Sequence, residues 1–148
     1  MKKTATATST LFAIVLIMCG NAQAQEEMKT NFVTQATSRL VIPAGDEEKS
    51  YWKMQQEYYE NVISKSKLVV HYSICRHAWG SEGATIVERM EFANWNDIEK
   101  FTKEESRSLA AAAWPDEKAR EAFFKKWRSY EDPYHHDEIY SISLSMRK

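Results

Sequence analysis

Between residues 67 and 92 the hydrophobic period of the chain is two, and this stretch limits the fold more than any other. Leu68, Val70, Tyr72 and Ile74 alternate with Val69, His71, Ser73, Cys75 and His77, the repeat that places alternate side chains on opposite faces of a strand. Gly80-Ser81-Glu82-Gly83 supplies turn residues, and residues 84–92 resume a strand, so the two runs read as an antiparallel hairpin. An isolated hairpin is marginal in water and needs a cover for its apolar face.

The flanking segments provide that cover. Residues 46–64, with Asp46 placed to cap them, carry Tyr51, Gln55, Tyr58 and Val62 at helical spacing, with Trp52, Tyr59 and Ile63 beside them. Asn96 followed by Glu99 is a capping-box spacing that opens a helix with Ile98, Phe101 and Leu109 inward, ended at Trp114-Pro115. Pro115-Asp116-Glu117 begins a further helix whose buried face is Ala119, Phe123, Trp127 and Tyr130. At the two ends lie strands, residues 32–42 with Val33, Leu40, Val41 and Ile42 inward, and residues 138–146 with Tyr140, Ile142, Leu144 and Met146 opposed to serines. The order predicts an α+β, ferredoxin-like β-α-β-β-α-β domain: four antiparallel strands with helices on one face.

Residues 1–24 are a different kind of segment. Lys2 and Lys3 precede an apolar run at residues 11–19, and Ala22-Gln23-Ala24 follows, which reads as a signal peptide with a mature chain beginning at Gln25. The run is too short to span a bilayer, for which a helix needs about 20 residues, so no membrane span is expected after cleavage. Met18 stands where acylation of Cys19 requires a small residue, which disfavours a lipoprotein. Residues 25–148 are then one periplasmic or secreted domain, with 18 basic against 21 acidic residues. Interleaved charges of that balance do not make a nucleic-acid footprint. Cys75 alone survives processing, so no intrachain disulfide forms; a lone thiol is more often buried than exposed.

The hairpin LVVHYSICRHAWGSEGATIVERMEF, the following NWNDIEKF and the closing EIYSISLSM resemble the dimeric α/β-barrel superfamily. The resemblance implies two sheets facing each other across a homodimer, and its families include cofactor-free monooxygenases, haem-degrading enzymes, lactone isomerases and stress-response proteins. No catalytic set of those families is carried over onto positions here, and no cofactor is assigned.

A four-residue turn at residues 80–83 pairs Trp79 with Ala84, Cys75 with Glu88, Ser73 with Met90 and His77 with Ile86. His71, Ser73, Cys75, His77 and Glu88 then share the face turned away from the helices, beside Trp79, and form the candidate ligand-binding set. His71 and His77 lie roughly 20 Å apart along a strand, too far to share one metal ion. Sequences for a P-loop, G-x-S-x-G, H-E-x-x-H and G-x-G-x-x-G are missing. The functional expectation is a homodimer that binds a small hydrophobic or aromatic molecule; the alternatives are a cofactor-free monooxygenase or isomerase, or a purely structural envelope dimer.

Overall fold

A computed structural model describes residues 29–147; the expected signal peptide and the start of the mature chain at Gln25 lie outside the described residues. The strands β1 (Thr30–Arg39), β2 (Val69–Arg76), β3 (Thr85–Phe92) and β4 (His136–Ser143) form one antiparallel sheet in the order β2-β3-β1-β4. This is the ferredoxin-like order, reached because each helical crossover must carry the chain across the same face. The helices are α1 (Glu48–Asn61), α2 (Trp95–Lys100), α3 (Ser106–Ala113) and α4 (Glu117–Arg128), with a π turn at Phe101–Glu105 joining α2 to α3.

The helix-facing side of the sheet is the core. Phe92 packs with Val62, Ile63, Phe101 and Ala110, while Ile86 packs with Tyr51 and Tyr130. Trp114 stacks on Phe123 at 4.5 Å and Tyr58 meets Trp127 at 4.6 Å, so an aromatic cluster fixes α4 onto α1. Two helix starts differ from the expected caps. Asp46 pairs with Lys126 of α4, and α1 starts after Glu47. The second helix is preceded by Asn94, whose amide donates to Asp97 at 3.0 Å, while Glu99 is engaged with Lys103 on the surface.

The hairpin register is one residue off the expected one. His77 N–H donates to the Thr85 carbonyl at 2.9 Å, so the chain closes its turn over residues 78–84, with Gly80 at a φ of 124°. That odd-numbered loop pairs Ile74 with Glu88, Cys75 with Val87 and Ser73 with Arg89. A slip of one turns every β3 side chain to the other face. Ile86, Glu88, Met90 and Phe92 therefore lie under the helices, and the expectation that they share a face with Ser73 is overturned. Val70 is the extra residue of a bulge between Val69 and His71, which leaves it 55% exposed rather than inward. Val41 and Ile42 are also exposed, because β1 ends at Arg39 and the backbone turns aside, Val41 N–H donating to the Tyr130 carbonyl at 2.7 Å. No helix among the described residues is long and apolar enough to cross a membrane.

Candidate functional site

Strand pairing lays out the open face as a grid. One row runs His71, Glu91, Val33, Tyr140 across the four strands, and the next runs Ser73, Arg89, Gln35, Glu138. Most of these side chains, with Ile142, Met146 and Arg147, line a cavity of about 680 Å³. Its floor is closed by Val33 and Glu91, which are 8% and 3% exposed. A buried carboxylate requires partners, and Glu91 has them: its Oε1 accepts from Asn31 Nδ2 at 2.6 Å and Arg147 Nη1 at 2.7 Å. Arg89 Nε donates to Gln35 Oε1 at 2.7 Å, and its guanidinium makes no ion pair among the described residues. The cavity thus has a polar end at β2 and β3 and an apolar end at β4. That shape and chemistry suit a small amphipathic molecule.

Of the six residues expected to bind ligand, His71 and Ser73 line this cavity. Cys75 shares their face but lies beyond the cavity, and its thiol is free and exposed, not buried. His77 has left the strand, and its imidazole lies under Gly80, where an added Cβ would stand 3.1 Å from Nε2. Trp79, at 93% exposure, projects from the turn. Glu88 is on the opposite side of the sheet, through the register slip. Arg89 and Glu91 were missed for the same reason, since only the pairing of Ser73 with Arg89 brings them to the open face. Gln35 was missed because Val33, on the same side of β1, was expected to face the helices, whereas it pairs with Glu91 on the open face. Among the described residues no group of three His, Cys, Asp or Glu side chains is arranged to hold a metal ion.

Glu88 makes a second arrangement beneath the helices. It lies in a cleft of about 320 Å³ whose lining includes Thr34, Met90, Thr102, Ile139 and the acidic Asp137 and Glu138. Tyr72 Oη donates to its Oε1 at 2.8 Å, and Gln55 Nε2 donates to Tyr72 Oη at 2.5 Å; Gln55 Oε1 is buried with no hydrogen-bond partner among the described residues. Burial pushes the Glu88 carboxyl above the usual carboxylate range. Burial, followed by the Glu88 charge, moves Tyr72 the same way and pushes Tyr58 up to about 12, so these phenols remain protonated donors. Glu131, which accepts from Tyr51 Oη at 3.3 Å, is raised by burial and then by the Glu88 charge. A carboxyl whose pKa is raised by burial, beside a phenol that donates to it, can give up a proton and take one back.

No family model matches the sequence, and no curated protein matches it at a significant level. Solved structures do match. A conserved protein from Methanosarcina mazei Go1 aligns with a TM-score of 0.53 at 8% identity, over 76% of this chain and 93% of that one. SnoaB, a cofactor-independent oxygenase from Streptomyces nogalater, aligns with a TM-score of 0.53 at 3% identity, over 80% of this chain and 98% of that one. A hydroxynitrile lyase from Passiflora edulis aligns with a TM-score of 0.51 at 11% identity, over 78% and 97%. At such identities the likeness shows the fold, and that fold is the one the dimeric α/β-barrel resemblance implied. An oxygenase and a lyase share it, so activity must be argued from the site.

Proposed function

We propose that this protein is an exported homodimer whose two open sheet faces meet and hold a small hydrophobic or aromatic molecule between them. The observation that carries the reading is the 680 Å³ cavity on the side of the sheet that no helix covers. Tyr140, Ile142 and Met146 offer apolar surface there, and a second copy would remove it from water. Support for export is the basic and apolar sequence of residues 1–24 with its Ala22-Gln23-Ala24 end. Native mass spectrometry of the exported protein tests both parts. The expected result is a dimer of chains beginning at Gln25, with additional small-molecule mass. Chains that retain residues 1–24 would remove the export reading. A dimer with nothing bound, and blank in ligand screens, would reduce the face to the interface of a structural envelope protein.

A second reading, a cofactor-free enzyme acting from the helix-side cleft, is favoured by Glu88, whose pKa burial raises, with its Tyr72 and Gln55 donors. Its first test needs no substrate. A carboxyl whose pKa is raised on folding stabilises fully below its unfolded pKa, and that stabilisation is lost as pH rises through the folded value. Glu88→Gln keeps the oxygen that accepts from Tyr72 and cannot ionise. The variant should therefore lose much less stability than the unmutated protein between about pH 4 and pH 8 in urea titrations, with Glu131 supplying the residual slope. Parallel pH profiles for the two proteins would mean that folding leaves the Glu88 pKa unshifted, and would remove its acid–base role.

A further inference from the structure

The geometry points to a monocarboxylate as the ligand of the open face, with Arg89 as the residue that recognises it. This rests on the small-molecule reading of that face and adds the charge of the ligand to it.

Arg89 stands in the middle of the grid, with Ser73 directly across on one side and Gln35 on the other. Gln35 takes only the Nε proton, which leaves the two Nη groups, a planar fork of donors matched to a carboxylate. The acids nearby do not use that fork. Glu91, the one carboxylate in the cavity lining, is spent on Asn31 and Arg147. Glu138 lies across Gln35 on the edge strand and makes no ion pair among the described residues. The lining therefore holds Arg89 and Arg147 against Glu91, one positive charge in excess before His71 is counted.

Pairing two open faces takes the Arg89 fork out of water, and Glu138 of the same row lies across Gln35 rather than against it. A guanidinium taken from water needs an anion, and a two-fold dimer brings two copies of Arg89 into one interior. A bound carboxylate for each would neutralise both, so ligand binding and association should strengthen each other. The apolar end of the cavity sets the rest of the molecule. Tyr140 is two strands and one two-residue step from Arg89, roughly 12 Å away, with Val33 between them. A bicyclic aromatic acid, or an acyl chain of similar length, spans from the fork to that apolar wall.

Calorimetric titration of the mature protein with naphthoate, naphthamide and naphthylmethylamine tests the inference, because the three probes share one ring system and differ in charge. Naphthoate should bind about tenfold or more tighter than naphthamide, and the amine most weakly. Arg89→Gln should bring naphthoate down to the level of naphthamide and leave naphthamide unchanged. Arg89→Lys should retain part of the preference, since a lysine supplies the charge without the fork. Equal binding of acid and amide, in the unmutated protein and in Arg89→Gln alike, would overturn the carboxylate inference and leave the small-molecule reading standing. No binding of any probe at millimolar concentration would overturn both.

Discussion

Replacing Phe92 with alanine is expected to lower the unfolding free energy by about 3–5 kcal/mol, from a total of about 5–15 for a domain of this kind. Phe92 is 1% exposed, its ring lies 5.8 Å from Phe101, and Val62, Ile63 and Ala110 close around it. Truncation removes one of the two phenyl rings of that cluster, and the surrounding α1, α2 and α3 residues can collapse only partly into the space. The melting temperature should fall on the order of 10–20 °C, with the loss checked by urea denaturation. The result also reads the register. Were the hairpin closed by a four-residue turn, Phe92 would lie on the open face; its loss would then cost little stability and weaken association instead.

The order of strands and helices was legible because each element declares its period: the alternation around Tyr72 and Ile74, the Tyr51-Gln55-Val62 stripe and the Tyr140-Ile142 pair all survive in the structure. The face of each strand was harder to read. For β2 the hydrophobic side chains Tyr72 and Ile74 decide it, and His71 and Ser73 follow onto the open face. For β3 the decision passes to the loop, where residues 78–84 offer two closures that differ by one residue. Nothing in Gly80-Ser81-Glu82-Gly83 selects between them. The Thr85 carbonyl does so by pairing with His77, and that bond exchanges Glu88 for Arg89 and Glu91 at the site. Arg147 was invisible for another reason: it follows a 3-10 turn at Leu144–Met146, so strand alternation no longer says where it points. The cap at Asn94 in place of Asn96 is the ordinary uncertainty of a helix start, where two nearby asparagines compete.

Replacing Tyr140 with arginine should separate the proposed dimer while leaving the fold intact. Tyr140 is 45% exposed on the edge strand, opposite Val33, and packs in neither core cluster. Arginine is accommodated there in a single chain. Between two chains it adds a positive charge per copy to an interior that already holds Arg89 and Arg147, and it removes an aromatic contact. Association should weaken by about a hundredfold or more, with the melting temperature of the separated chain nearly unchanged. Sedimentation equilibrium of the mature protein at micromolar concentration, beside Tyr140→Arg, tests the central claim most directly. The account predicts a dimer for the unmutated chain and a monomer for the variant; a monomer for both, or a dimer that Tyr140→Arg leaves undisturbed, would contradict it.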